Sequence, residues 1–435
     1  MYMGDGKSMR DGNQLYWIWL AQRFGVASKD FPTFAERFGD PYDVYRMTDE
    51  EIEQIEGIGT RLKEKLCDKE LDKAYSILKD CKRNRIEIIG YGEKGYPERL
   101  KNIENPPILL YCMGRLPDMD KKLCVGMVGT RKMSEYGKQT AYKISYELAA
   151  AGVCVVSGMA RGIDGVCAAG AIESGGETVA VLGSGLLSVY PKEHAKLMKL
   201  IAKSGAVISE YPPLERPQPY YFPTRNRIIS GLCQGVVIIE GSRDSGAMIT
   251  ASRAISQGRE LFAVPGKVSE ASSEGPNELI RNGANVMLTS DDLINHYDFL
   301  YHDVINYRAY SAAKRRSALS TGTLKSYGIQ YADTQVEKEK KTESKNTSDT
   351  KTVAKETRGT EQSAAVSESR PDVEKMLASV DSGTAGVYAR LPEGSFTPDM
   401  IVADDLSISM VMTSLTLLEI SGLVVALPGG AYKKA

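Results

Sequence analysis

The chain reads as an α/β protein built on a doubly wound parallel sheet. Short apolar runs recur through its middle, at 123–128, 153–156, 179–182, 207–208 and 236–239. Stretches of helical periodicity separate them, at 136–151, 164–174, 193–203, 226–233 and 247–257. Strand and helix alternating at this spacing mean a parallel sheet with helices on both faces. In such a sheet the strand C-termini open on one edge. Each run ends in a loop of glycine, serine and, mostly, arginine: Gly129-Thr130-Arg131, Ser157 to Asp164, Gly183-Ser184-Gly185, Ser209-Glu210-Tyr211 and Glu240 to Gly246. These loops should converge on one rim, where backbone N–H groups, helix N-termini and fixed cations suit a ligand with several phosphates.

The flanking elements extend this core. Short strands at 86–89 and 108–111 flank a proline-rich connector. A strand at 261–264 ends in Pro265-Gly266, and an apolar run at 285–288 follows a helix at 277–282. The core is therefore expected over 86–305. Residues 1–85 read as a small helical domain, with apolar residues at three/four spacing in 16–24, 33–38 and 49–55. Its Gly57-Ile58-Gly59 turn opens a helix at 61–68. That is a helix-hairpin-helix pattern, read equally well as a DNA-phosphate contact through backbone amides or as a plain packing turn. From 332 to 370 there is no Ile, Leu, Met, Phe, Tyr or Trp, so 306–370 reads as a disordered linker. Residues 371–435 regain pattern. Helices are expected at 373–379, after Thr397-Pro398-Asp399, and at 407–418, ended by Gly422, with a β-ribbon at 423–427 and 431–434. This is a winged-helix-like layout. Its would-be recognition helix carries no Lys or Arg, so it suits protein contact or packing better than groove reading.

Composition narrows the function. With 435 residues the chain is long enough for two or three domains. A formal net charge of −1 excludes a globally basic nucleic-acid binder, so any such site is a local patch. The seven cysteines are scattered and read as reduced core residues, and the three histidines lack metal-ligand spacing. No metal or cofactor is expected. The apolar run at 15–21 is too short for a signal core or a membrane span, so a cytoplasmic protein without membrane contact is expected.

Enzyme chemistry finds little support. The first loop lacks the G-x-G-x-x-G dinucleotide pattern, and no G-x-x-x-x-G-K-[ST] occurs. Gly183-Ser184-Gly185 resembles a nucleophile elbow only faintly, since His194 lies on the next helix. Asp164, Glu210, Glu240 and Asp244 are better read as helix caps or arginine partners than as acids. Phosphate binding fares better. Arg131, Arg161 and Arg243 sit at or just past strand ends, and Arg225 and Arg227 at a helix start. In Tyr220-Tyr221-Phe222-Pro223-Thr224-Arg225-Asn226-Arg227, aromatics beside arginines suit stacking of unpaired bases. At least one aromatic should be core and one at the rim, with Phe222 the better stacking candidate.

At this point the motifs resemble a family. Val128-Gly129-Thr130-Arg131, Ser157-Gly158-Met159-Ala160-Arg161-Gly162-Ile163-Asp164, Phe222-Pro223-Thr224-Arg225-Asn226-Arg227-Ile228-Ile229-Ser230-Gly231, Val264-Pro265-Gly266 and Gly275-Pro276-Asn277-Glu278 are similar to those of the DprA/Smf DNA-processing family over about 90–299. The resemblance implies a Rossmann-like core flanked by a SAM/helix-hairpin-helix-like and a winged-helix-like domain. It implies a non-catalytic protein that binds and protects single-stranded DNA, dimerises through the core and loads the RecA recombinase during natural transformation. By motif, Arg131 with Gly129 and Thr130 would hold phosphate, and Ser157, Gly158, Arg161 and Gly162 would line the pocket. Phe222, Arg225, Asn226 and Arg227 would contact nucleotides, and Arg243, Gly246 and Thr250 would complete the cradle. The family often places a histidine where this chain has Ala168, and the linker here is long. The alternative is a Rossmann-like nucleotide hydrolase or phosphoribohydrolase-like enzyme.

Overall fold

The computed structural model describes residues 6–317, 324, 327–329 and 382–401, with single positions and short runs between Leu406 and Lys434. The chain forms two units, Met1–Thr342 and Glu343–Ala435.

The first unit opens with six helices: α1 (Gly6–Phe24), α2 (Phe31–Arg37), α3 (Pro41–Arg46), α4 (Asp49–Glu53), α5 (Thr60–Cys67) and α6 (Asp72–Arg83). Local signals set their starts. Asp40 caps α3 ahead of Pro41, and Thr48 with Glu51 forms a capping box on α4. Trp19, Phe31, Phe34 and Leu66 are buried among them. The turn between α4 and α5 is a helical hairpin in which Gly57 has φ +85°, a conformation glycine adopts freely. Arg37 and Lys63 donate to the carbonyls of Glu56 and Glu53 and so fasten that turn from inside.

A nine-stranded sheet follows, in the order β1-β2-β6-β5-β4-β3-β7-β8-β9. Its strands are β1 (Glu87–Gly90), β2 (Leu109–Gly114), β3 (Cys124–Val128), β4 (Cys154–Ser157), β5 (Thr178–Val181), β6 (Ala206–Ser209), β7 (Gly235–Ile238), β8 (Glu260–Ala263) and β9 (Asn285–Val286). From β6 to β9 every pairing is parallel, while β1 and β2 form an antiparallel edge. Side chains alternate between two cores, as the pleat demands. Val125, Met127, Val153 and Val155 face one, and Cys124, Val128, Cys154 and Val156 the other. The first core is covered by α8 (Glu135–Ala150), α9 (Ile163–Glu173), α10 (Ala195–Ser204) and α14 (Ser290–Tyr301), the second by α7 (Glu98–Lys101), α11 (Tyr221–Gly231), α12 (Gly246–Ser256) and α13 (Ala271–Arg281). This is the doubly wound, Rossmann-like arrangement expected. All seven cysteines are free, six of them buried. No helix among the described residues is long and apolar enough to cross a membrane.

Two details differ from expectation. Helix α11 starts at Tyr221 rather than 226, because Pro223 falls in its first turn, where a missing N–H removes no helical bond. The linker expected from 306 does not begin there. Helix α15 (Tyr307–Lys314) buries Tyr310 and Ala313, and the Tyr310 hydroxyl bonds to Ser290 and Asp291. One tyrosine with two polar partners anchors the segment, a local signal that a composition count starting at 332 does not reach. Apart from Leu324 and 327–329, the stretch 318–370 lies outside the described residues.

The second unit contains α16 (Ser382–Arg390) and an antiparallel sheet ordered β10-β12-β11, with β10 (Ser395–Phe396), β11 (Val424–Leu427) and β12 (Ala431–Lys434). The expected ribbon is present and gains β10 as a third strand. Val411, Leu415 and Leu418, at three/four spacing, are helical and buried with Val387, Phe396 and Val424. The helix expected at 373–379 and the stop at Gly422 lie outside the described residues.

Helices α8 and α9 approach closely because Gly170 has no side chain. A Cβ there would overlap Ser145 Oγ and stand 2.7 Å from the Tyr142 carbonyl oxygen. Gly170→Ala is expected to destabilise the first unit by about 1–3 kcal/mol, read as a lowered midpoint in urea unfolding.

Candidate anion-binding cleft

The C-terminal edge of the sheet carries a cleft of about 500 Å³ between the ends of β3, β4 and β7 and the first turns of α11 and α12. Its walls include Gly129, Thr130, Arg131, Lys132, Phe222, Arg225, Asn226, Gly246 and Thr250. The loops beneath it are stitched backbone to backbone. The Thr130 amide donates to the Glu240 carbonyl (2.7 Å), and the Ile163 amide to the Thr130 carbonyl (3.2 Å). Side chains would not fit between them. A Cβ on Gly129 would stand 2.6 Å from Ile163 Cγ1, and Gly162 combines φ +76° with contact against the Thr130 carbonyl.

The N-termini of α8, α9, α11 and α12 approach this edge, and the chain's own carboxylates take up backbone donors at α8 and in the loop ahead of α9. At α8 the Glu240 carboxylate accepts from the Ser134 amide (2.9 Å) and the Ser134 hydroxyl. A Cβ on Gly137 would overlap that carboxylate. Ahead of α9, Asp164 accepts from the amides of Gly158 (3.1 Å) and Ala160 (3.4 Å). Burial raises the Asp164 carboxyl above its ordinary pKa, opposed by the Arg225 charge and these donors. The start of α12 is different. Among the described residues, Ser245 at its N-cap makes no capping bond, its buried hydroxyl has no partner, and nothing lies within 4 Å of where a Gly246 Cβ would stand. Helix starts leave N–H donors and partial positive charge. Here they face the cleft. Asn226 donates to the Gly246 carbonyl (3.3 Å) and fixes the orientation of this first turn.

The five arginines reach the same edge but serve different ends. Arg131 is exposed, has no carboxylate partner among the described residues, and lies 5.3 Å over the Phe222 ring. Arg225 is 4% exposed and lines the cleft. Its Nη1 donates to the carbonyls of Gly158 (2.9 Å) and Val181. Burial pulls its guanidinium down to about 10, with Asp164 opposing. Arg161 pairs with Glu193 at a smaller neighbouring cavity lined also by Gly158, Gly183, Tyr190, Arg131 and Phe222.

Six expected contacts are not on the cleft wall: Gly158 and Arg161 line only the smaller cavity, and Ser157, Gly162, Arg227 and Arg243 line neither. Arg227 is buried against Glu210, because α11 turns it to the opposite side from the cleft. Arg243 is exposed and pairs with Glu278 (3.2 Å), away from the cleft wall. Ser157 is buried, its hydroxyl donating to the Met127 carbonyl (2.7 Å). Position at a strand end is visible in sequence, but side-chain direction and an available buried acceptor decided these cases. Gly162 serves the loop turn rather than the wall. The carboxylates act as anticipated for Asp164, Glu210 and Glu240, whereas Asp244 is exposed without an ion pair among the described residues. Sequence reasoning missed Lys132, an exposed cation on the wall, and Ser245. Their adjacency to Arg131 and Gly246 was the available signal.

The faint nucleophile elbow dissolves in the structure. Ser184 is buried and donates to the Ser188 carbonyl (3.0 Å). His194 is buried under α9, its Nδ1 3.1 Å from the Met159 carbonyl, and burial lowers its pKa.

Removing the carboxylate from Glu210 would leave Arg227 charged and buried. Glu210→Ala is expected to cost about 3–5 kcal/mol of stability in urea unfolding. Arg243→Ala, which breaks an exposed pair, is expected to change it by no more than about 1 kcal/mol.

The family model described as DNA recombination-mediator protein A matches residues 87–298, from β1 into α14. DNA processing protein DprA of Bacillus subtilis is 40% identical over 217 residues, covering 50% of this chain and 73% of that protein. DNA processing protein DprA of Streptococcus pneumoniae is 38% identical over 226 residues, covering 52% and 74%. The X-ray structure of the Streptococcus pneumoniae protein superposes with a TM-score of 0.56 at 30% identity, covering 65% of this chain and 97% of that one. The strand-end motifs, the doubly wound sheet and these likenesses agree, and the chain belongs to the DprA/Smf family of DNA-processing proteins.

Proposed function

We propose that this protein binds single-stranded DNA along the strand-end cleft, without chemical turnover. In this reading it protects incoming strands in the cytoplasm and, as a homodimer through the core, hands them to the RecA recombinase during natural transformation. One observation carries the DNA reading: the open N-terminus of α12 lies in one cleft with Arg131, which has no carboxylate partner among the described residues, and with the Phe222 ring beside that guanidinium. Helix amides and a free guanidinium suit backbone phosphates. Aromatic faces suit bases that are not paired, since duplex stacking hides those faces. Arg225 supports the wall rather than the ligand, because its donors already hold Gly158 and Val181. Family membership supports the transfer to RecA and the homodimer as part of this proposal.

Fluorescence anisotropy with a labelled oligo-dT tests the binding. Arg131→Ala is expected to weaken it by about 1–3 kcal/mol, the range for a charge-assisted hydrogen bond. An unchanged affinity in a folded variant sinks the assignment. Affinity for the wild type should fall steeply with salt, with log K linear in log salt, and Arg131→Ala should flatten that slope by about 0.7, the single-strand value per phosphate. Release of base or phosphate from nucleotides would instead favour the hydrolase reading. Strand exchange by RecA on coated single-stranded DNA, with and without this protein, tests the loading role.

A further inference from the structure

The segment that opens α11 carries three consecutive aromatics, and the structure separates their roles. Phe222 is wedged between Tyr190 (ring centroids 5.5 Å apart), the Arg131 guanidinium (5.3 Å) and Gly183, where a Cβ would stand 2.9 Å from its ring. Tyr221 is half-buried. It stacks on Tyr211 (4.0 Å, 29°) and its hydroxyl donates to Glu215 (2.9 Å). Tyr220 is 65% exposed. Its ring meets Tyr221 edge-on at 4.7 Å and 76°, and its carbonyl accepts from the Thr224 hydroxyl (2.9 Å). The three rings Tyr211, Tyr221 and Tyr220 thus form a ladder from the buried end of β6 to the surface. Pro219 and Phe222, on either side of Tyr220 in the chain, both line the cleft.

An exposed tyrosine ring buttressed from behind loses little conformational freedom on binding. Its neighbours indicate the occupant. The anion-binding cleft lies beside it, Arg131 and Lys132 are exposed on the cleft wall, and Arg216 is exposed four residues earlier without an ion pair among the described residues. Cations that hold a phosphodiester chain next to a free ring suit stacking of an unpaired base. We infer that Tyr220 is a stacking subsite for one base of the strand as it leaves the cleft, a role that rests on the single-strand reading above. Phe222 divides the main cleft from the smaller cavity, and the free ring face belongs to Tyr220.

The test uses the full chain and a fluorescein-labelled oligo-dT at fixed salt. Tyr220→Ala is expected to raise Kd about tenfold, within the range for one base–aromatic stack, while Tyr220→Phe keeps wild-type affinity. Because the side chain is exposed, melting temperatures should match. A single abasic site walked along the oligonucleotide should weaken wild-type binding most at one position, and at that position Tyr220→Ala should show no further loss. 2-Aminopurine placed there should be quenched by the wild type and not by Tyr220→Ala. Equal Kd values for Tyr220→Ala and wild type, or an abasic penalty that survives in Tyr220→Ala, overturn the subsite. If Arg131→Ala still weakens binding in that event, the cleft reading stands without it. If Arg131→Ala binds like the wild type, the cleft reading falls and the subsite with it.

Discussion

One buried guanidinium holds the functional edge together. Arg225 reaches from α11 to the carbonyls of Gly158 and Val181, at the ends of β4 and β5. Strand ends in a parallel sheet leave carbonyls that the next strand does not satisfy, and a buried acceptor without a partner is costly. Arg225 satisfies two of them at once and stays charged beside Asp164. In doing so it fixes the rotation of α11. That rotation places Phe222 one turn earlier on the cleft wall, directs Asn226 to the Gly246 carbonyl, and sends Arg227 to Glu210 on the far side.

A second constraint is competition for helix N-termini. A ligand phosphate seeks the same donors as a side-chain carboxylate. Glu240 occupies the start of α8, and Asp164 occupies the amides ahead of α9. Beside them the start of α12 stays open, with a buried Ser245 hydroxyl that has no partner among the described residues. The rim is therefore not a uniformly cationic surface. It is one candidate anion site framed by internal ion pairs, and such a local patch is compatible with a net charge near zero.

The helical domain shares in this frame. Glu210, at the end of β6, accepts from the Ala27 amide (3.2 Å) as well as from Arg227. A single buried carboxylate thus ties the loop between α1 and α2 to the helix that forms the cleft wall. Burial raises its pKa, with the Arg227 charge opposing. Losing that carboxylate would strand a charge and loosen two junctions together.

Local pattern alone determined the sheet and its partner helices. Apolar runs of strand length, separated by helical periodicity and ended by glycine, admit few arrangements other than a doubly wound sheet. The loops that meet at its C-terminal edge follow from the same rule, so Gly129, Arg131, Gly246 and Thr250 were legible as one site. Arg227, Arg243 and Ser157 were not legible as outsiders. A sequence places a residue at a strand end but does not say which way its side chain turns or which buried acceptor waits there. The separate fates of Tyr220, Tyr221 and Phe222 likewise depended on contacts from the loops after β5 and β6, including Gly183, Tyr190 and Tyr211. Those contacts join residues ten or more positions apart, and packing holds the Tyr211, Tyr221 and Phe222 rings while Tyr220 stays exposed. Sequence pointed to a candidate anion site at this edge. Tertiary structure decided which arginine faces it, because burial makes an unpaired charge costly and each buried arginine was drawn to a nearby carbonyl or carboxylate.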